Sequence, residues 1–597
     1  MIDREKGNPR RLWATIADVL GRSTTPNSPT LPSFTADDYL NFVQSKINST
    51  RKSTEGSPPP VFSTTTAVLS SWDPIQPDAL RKLILDSSSK SCELDLLPPF
   101  LVKEFIDELT PFLLLLCNSS LTQGCVPALH KRAVVFPSIK RQGLDPSSPA
   151  NYRPISNLSF LSKLLEKCVS VQLVHYLDLH SLLPPLQSGF RKFHSTESLM
   201  VSLLAEVFRA VDCGHVTLLS LYDISAAFDT VDHTILLDRL LKSFGITDSA
   251  LLWFQSFLTD RSVSVIFGST RSPWVHLPYG LPQGSVLAPL LFILYTSDLA
   301  GVLGPLGVSS HQYADDTQAF LHGPASTASD MVERILEASA ALNRWLSSNR
   351  LRLNQDKTQY IWLGGRTQLS KIDSDSLRLR FPNIHFSSSV RDLGFILDPV
   401  LSLTQHVNSV SRTCFYYLRQ LRTIRQSLPL HAITILVHAL ICARIDYGNA
   451  VYIGLSSTNA AKLQSILNAA ARLIGGIAKF AHISFFIRDS LHWLPIRQRI
   501  QYKVCSLMRN CLSGSAPLYL KTHCIPVSSL PGRSSLRSSA HGHLVVPRTR
   551  TSTAQNRSFA VVGPSCWNRL PQSLRTDFLS LSFDLFRKRL KTSLFIS

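Results

Sequence analysis

The feature that most constrains this chain is the run VTLLSLYDI, Val216 to Ile224, which is apolar almost throughout yet carries a carboxylate at Asp223. A run of this length and composition reads as a strand covered on both faces. A carboxylate ending such a strand is costly unless something compensates it. Downstream, SSHQYADDTQAFLH reads as strand, turn and strand, with Asp315 and Asp316 at the tip. Taken alone, this acidic pair also fits a solvated turn. Together with Asp223, it supplies what phosphoryl transfer to a nucleotide requires. Two Mg²⁺ ions about 4 Å apart can activate a hydroxyl and steady a departing pyrophosphate. Mg²⁺ takes few protein oxygens, so two or three aspartates suffice.

Around this pair the chain alternates short apolar strands with helices. HKRAVVFPSIK reads as a strand closed by a turn at GLDPSSP, and SVSVIFG, TQYIWLGG and HFSSSVRDLGFILD read as further strands. FLSKLLEKCVSVQLVHYLDLH, TESLMVSLLAEVFRAV, TILLDRLLKSFG and DMVERILEASAALNRWLSSN carry helical periodicity. Residues 1–75 are rich in Ser, Thr and Pro and read as a disordered linker holding one short helix, DDYLNFVQSKINST. Residues 76–200 form N-terminal helices and a mixed segment, 201–400 the strand-bearing core, 401–520 a helical region, and 521–597 a basic, irregular tail ending in the helix FDLFRKRLKTSL. There is no internal repeat.

Charge narrows the partners. The 61 Lys and Arg against 41 Asp and Glu give a net charge of +20, which favours a polyanion. Nucleic acid is preferred over an anionic membrane surface, because no single basic amphipathic helix stands out. The eleven cysteines include no CxxC pair, which argues against zinc ribbons and disulfide frameworks. The first residues, MIDREKGNPRRLW, hold no apolar signal core, so an intracellular, non-secreted protein is expected. The apolar segment Leu287 to Leu303 is interrupted by Pro289 and Asp298 and reads as a buried helix, so no membrane partner is expected.

Seven segments, in order, resemble the reverse transcriptases of LINE-type, non-LTR retrotransposons. They are NYRPISNLSFLSKLLEK, QSGFRKFHSTES, LYDISAAFDTVDH, GLPQGSVLAPLLF, YADD, LRLNQDKTQ and VRDLGFILD. The likeness is nearest to Jockey-like animal elements. It extends to ARIDYGNAVYIGL and HWLPIRQRIQYKV, to the tail segment AVVGPSCWNRLPQSLR, and to NPRRLWATIADVLGR and SCELDLLPPFLVKE at the front. The front segments resemble the connector after an endonuclease, and no histidine–acid constellation precedes residue 75, so no DNA-nicking activity is expected.

The resemblance implies an α+β right-hand polymerase: an antiparallel palm sheet, fingers, a helical thumb and an irregular tail. It implies an RNA template, a DNA primer, deoxynucleotides, and two Mg²⁺ ions, for which Mn²⁺ can substitute. Asp223, Asp315 and Asp316 become the metal ligands. Phe228 becomes the ring that excludes a 2′-hydroxyl, and Gln283 and Gly284 the loop lining the nucleotide pocket. Arg153 and Lys140 would hold the triphosphate, and Lys357 would assist pyrophosphate departure. Leu393 and Gly394 become the primer grip. Arg412, Arg419, Arg422 and Arg425 are expected to stripe one side of a helix and track a phosphate backbone, with a solvated helix face as the alternative. RKRLK, Arg587 to Lys591, suits a nuclear address by composition. Ala288 stands where such elements usually have glycine. Rival readings are a catalytically idle, truncated copy that only binds nucleic acid, and another reverse transcriptase type, such as a group II intron maturase or telomerase.

Overall fold

The computed structural model describes residues 34–141, 143–532 and 537–596. The front segment NPRRLWATIADVLGR lies outside them. Two sheets organise the strand-bearing half. The first contains β1 (Arg132–Ile139), β2 (Tyr152–Asn157), β4 (Ser262–Phe267), β5 (Thr270–Arg271) and β6 (Val275–His276). Its order is β2-β1-β4-β5, with β6 also on β4; β1 runs antiparallel to β2 and parallel to β4. The second contains β3 (Val216–Tyr222), β7 (Ser309–Tyr313), β8 (Asp316–Gly323) and β9 (Gln359–Leu363), in the order β7-β8-β3-β9, with every pair antiparallel. A separate hairpin joins β10 (Val390–Asp392) to β11 (Phe395–Leu397).

The apolar run of β3 is explained by what covers it. Val216, Leu218 and Tyr222 point into one core, with the helices Phe160–Leu179, Ala288–Tyr295 and Ala328–Ser348. Leu219 points into the other core, with the helix Thr196–Asp212 and the C-terminal helices. Period-two alternation therefore sorts one strand's side chains between two cores, so neither face can be polar. Residues 288–306 are the one segment, among those described, long and apolar enough to cross a membrane, and half of it is buried in the protein. The segment is two helices, Ala288–Tyr295 and Leu299–Leu303, and Asp298 between them pairs with the fully buried Arg239.

Two regions are more ordered than their composition suggests. Within the expected linker, the helix Ala36–Ser53 has a Thr35 capping box and buries Ala36, Tyr39 and Leu40 against the β1–β4 sheet, with Phe34 stacked on Phe267 at 4.7 Å. Leu69 then bridges to Ile246 and Trp72 is buried, so the helix and the segment around Leu69 are packed rather than linker, while Val61 and Val68 between and beside them stay exposed. In the expected irregular tail, the helices Phe559–Asn568 and Phe583–Ile596 place Phe559, Trp567, Phe586 and Leu590 in the C-terminal core. Sparse large apolar residues in a polar background are enough here, because each lands in a hole left by the helix Ile496–Leu512 or its neighbours.

Candidate nucleotidyl-transfer site

Antiparallel pairing of β3 with β8 sets Tyr222 opposite Thr317, so the next position along each strand brings Asp223 level with Asp316. β7 and β8 meet in a two-residue turn, Ala314–Asp315, closed by the pair Tyr313 and Asp316. All three carboxylates therefore stand at one end of one sheet. Asp223 Oδ2 accepts hydrogen bonds from Asn354 Nδ2 and Lys357 Nζ, each at 3.0 Å, and the Asp223 carbonyl accepts from the Asn354 amide at 2.8 Å. Lys357 is thus an ion-pair partner of Asp223, a more specific placement than a phosphate contact.

Among the described residues, no three His, Cys, Asp or Glu side chains converge into a ready metal cage. Their electrostatics still fit a cation. Asp315 is raised by burial and by Asp223, and Asp316 is pushed up to about 6 by burial, then by Asp315 and Asp223. Asp316 has accessible surface, yet its carboxyl lies in a cleft of about 550 Å³ shared with Asp223, Lys357, Arg391 and Leu393. Two carboxyls raised by burial and by neighbouring carboxylates in a concave site form a donor set that a divalent ion would stabilise.

The opposite wall is basic. Lys140 ends the β1 side, where its amide donates to the Asn151 carbonyl at 2.8 Å and its Nζ to the Ala150 carbonyl at 2.6 Å. Arg153 lies on β2, paired in register with Ser138. Burial lowers the Lys140 ammonium, then Lys46, Lys357 and Arg153 lower it further, while Asp223 raises it. Arg153 and Lys357 also act on Asp315, and Lys357 on Asp316, where they offset part of the mutual repulsion. Arg141 lines the cleft, and Lys46, from the helix Ala36–Ser53, is close enough to act on Lys140; neither stands out in the sequence.

Between the two sheets runs the loop Gly280–Leu287. Gln283 donates Nε2 to Asp229 Oδ1 at 3.0 Å, and its carbonyl accepts from the Ser156 amide at 2.8 Å. Gly284 sits at φ +142, and a Cβ there would overlap the Ser156 carbonyl oxygen, so glycine is required for this approach. The loop is fastened from behind by Glu166, whose Oε2 accepts from the Ser285 hydroxyl and from the Val286 and Leu287 amides at 2.7 and 3.0 Å. Glu166 is fully buried beside Arg261, and burial raises its carboxyl despite those donors. Its only sequence signal is that it falls on the apolar face of its helix, with Leu165, Cys168 and Val169 buried around it. Ala288 is buried at the start of its helix, where glycine is not needed. Phe228 is partly buried, stacking on Phe292 at 4.7 Å.

Leu393 and Gly394 form the β10–β11 turn with φ of +43 and +92, the two-residue hairpin geometry that favours glycine. The Tyr447 hydroxyl donates to the Leu393 carbonyl at 2.8 Å. The hairpin is tied to the β7-β8-β3-β9 sheet by Gln318 Nε2, which donates to the buried Asp392 Oδ2 at 2.7 Å.

The arginine stripe is only partly realised. Arg412 and Arg419, seven residues apart on the helix Thr404–Thr423, line a groove with Phe415 and with Lys462 from the neighbouring helix. Arg422 is exposed and outside that groove. Arg425 lies beyond the helix end and donates to the carbonyls of Leu473 and Ile474 at 2.8 and 2.9 Å. It caps the helix Ser457–Gly475 rather than joining the stripe, because the Thr404–Thr423 helix stops two residues too early.

With this geometry in view, residues 139–397 match the family of reverse transcriptases, described as RNA-dependent DNA polymerases. The chain is 28% identical over 391 residues to a probable RNA-directed DNA polymerase from transposon BS of Drosophila melanogaster, covering 64% of this chain and 42% of that protein. It is 26% identical over 403 residues to the RNA-directed DNA polymerase from mobile element jockey of the same species, covering 66% and 43%. A third relative is the probable enzyme from transposon X-element, 24% identical over 426 residues, covering 70% and 46%. The chain thus spans less than half the length of these curated relatives.

Proposed function

We propose that this chain, whose residues 139–397 are a reverse transcriptase domain of the kind found in jockey-like non-LTR retrotransposons, is an RNA-directed DNA polymerase that extends a DNA primer on an RNA template. The observation that carries this reading is the β3–β8 register, which sets Asp223 beside Asp315 and Asp316 and across from Lys140 and Arg153.

In this reading the β7-β8-β3-β9 sheet is the palm, the β1–β4 sheet the fingers, and the helices from Thr404 to Gly475 the thumb. Asp223, Asp315 and Asp316 would hold two divalent cations, Mg²⁺ or Mn²⁺. Bound there, these ions lower the pKa of a primer 3′-hydroxyl and take up charge on the departing pyrophosphate. The protein's own share is positioning and preset electrostatics. Arg153 offers a forked guanidinium and Lys140 a point charge to the triphosphate. Lys357, which pairs with Asp223, would stand at the site's edge where it could neutralise the phosphates. The Gln283–Gly284 loop brings bare backbone against the nucleotide, and Phe228 excludes a ribose 2′-hydroxyl. Leu393 and Gly394 press on the primer end, and the groove of Arg412, Arg419 and Lys462 follows the duplex backbone without reading bases.

The test is primer extension on poly(rA)/oligo(dT) with Mg²⁺, comparing the intact chain with Asp315→Asn. Incorporation that disappears in the variant is expected. Template binding without incorporation in either protein would overturn the catalytic reading.

A further inference from the structure

Outside the polymerase cleft, a cavity of about 480 Å³ opens in the C-terminal helical region between residues 438–446, the helix Ile496–Leu512 and the terminal helix Phe583–Ile596. Four basic side chains enter it. Two are already paired: Arg499 Nη1 with Asp446 Oδ2 at 2.6 Å, and Lys503 Nζ with Glu197 Oε2 at 2.8 Å. The other two, Arg587 and Lys591, make no ion pair among the described residues. Arg587 donates Nε to the Tyr502 hydroxyl at 2.8 Å and lies over the Phe583 ring at 5.4 Å, and Lys591 rests over Phe595 at 5.9 Å. At i and i+4 these two cations share a helix face, a like-charge spacing that destabilises a helix when nothing neutralises it. Burial and the neighbouring Arg499 both pull the Lys591 ammonium down.

The backbone around the cavity is also irregular. His438–Cys442 is a π-helical turn and Phe486–Ser490 a second, followed by His492 at φ +51. Such departures cost free energy and recur at binding sites. His438 and His492 both line the opening. On its floor Asn449 is buried with its Oδ1 lacking any donor.

We infer that this cavity binds the phosphodiester backbone of single-stranded RNA, with Arg587 and Lys591 on phosphate and Asn449 accepting from an adjacent ribose hydroxyl. Two unpaired cations call for anions, and the orphaned acceptor calls for a neutral donor close by. A ribose-phosphate chain supplies both in one repeat; DNA lacks the hydroxyl. The basic run RKRLK is divided accordingly: Arg587 and Lys591 border the cavity, while Lys588 and Arg589 are exposed and do not line it.

The inference is independent of catalysis and is tested without it. The probe is a short fluorescent single-stranded RNA, bound to the intact chain in EDTA and without nucleotides, across a salt series. Arg587→Glu with Lys591→Glu is expected to weaken binding and to reduce the magnitude of the log–log salt slope by about 1.4, roughly 0.7 for each phosphate no longer neutralised on a single strand. Lys588→Glu with Arg589→Glu, the same charge change on the same helix, is expected to leave the slope within about half a unit of wild type. Asn449→Ala should reduce affinity for the RNA several-fold and leave the matched DNA unchanged. Equal effects of the two charge-reversal pairs, unchanged binding in the first, or equal loss of RNA and DNA in Asn449→Ala would each overturn the assignment.

Discussion

The side-chain amide of Gln187 brackets the backbone of Ala314: the Ala314 N–H donates to Oε1 at 3.0 Å, and Nε2 donates to the Ala314 carbonyl at 3.2 Å. Ala314 sits at φ +57, a conformation that a non-glycine residue holds only when its surroundings fix it. The same segment pairs further along, Ser188 N–H to the Gln312 carbonyl and Gln312 N–H to the Leu186 carbonyl, both at 2.8 Å. The turn that carries Asp315 is therefore held from outside the β7 and β8 strands. Gln187→Ala leaves both Ala314 groups without a partner in a buried setting, a loss of about 1–3 kcal/mol. We expect kcat for primer extension to fall roughly 10- to 100-fold while template affinity holds, measured by single-turnover extension beside anisotropy. Equal loss of binding would point to a general folding defect.

Two glycines are predicted to be irreplaceable for steric reasons. A Cβ at Gly284 would overlap the Ser156 carbonyl, and one at Gly189 would overlap the Ala314 backbone nitrogen. In each case the obstacle is backbone, which cannot rotate aside. Gly284→Ala should raise KM for deoxynucleotides at least tenfold, because the loop must leave the β2 edge. Gly189→Ala should act on kcat, through the Asp315 turn. Steady-state kinetics separate the two, and a wild-type KM in Gly284→Ala would refute the loop assignment.

Phe228 has the burial of a core residue on one face and access on the other, since its ring stacks on the fully buried Phe292. If it lies under the incoming sugar, Phe228→Val should raise ribonucleotide incorporation relative to deoxynucleotide by roughly 10- to 100-fold, the scale of one steric contact of 1–3 kcal/mol. Competitive incorporation assays read this ratio directly, and an unchanged ratio returns Phe228 to the core.

The aspartates were legible because a carboxylate at the end of an apolar strand, or at a hairpin tip, is a local conflict visible in a few residues. The strands were legible for the same reason, as with β3, whose alternation only later proves to serve two cores. What failed to show was non-local. Lys46 comes near Lys140 because the helix Ala36–Ser53 docks on β4 and β5, a pairing separated by more than 200 residues. Glu166 reads as an ordinary helix acid beside Lys167 until Ser285 and two amides are seen around it. Arg425 was misplaced because its spacing fits the stripe, while helix length, set by packing, decides its role.

Asp392 gives the last prediction, in pH. Its buried carboxyl accepts from Gln318 and is pushed up to about 7 by burial, against about 4 in an unfolded chain. The folded protein therefore holds this proton more tightly than the unfolded one. The stability it contributes is fully present below about pH 4 and is lost as pH rises through about 7. Asp316 and Asp229, each raised to about 6, titrate in the same window, so the wild-type curve alone does not isolate Asp392. Asp392→Asn does: it keeps an acceptor for Gln318 and cannot ionise. The gap in unfolding midpoint between variant and wild type should widen from pH 5 to pH 8 in favour of the variant. One pKa unit is worth about 1.4 kcal/mol and the window covers about two units of the shift, so the gap should widen by roughly 2–3 kcal/mol. A gap that stays constant across that range would mean that Asp392 is ionised throughout, and that its bond to Gln318 is charge-assisted.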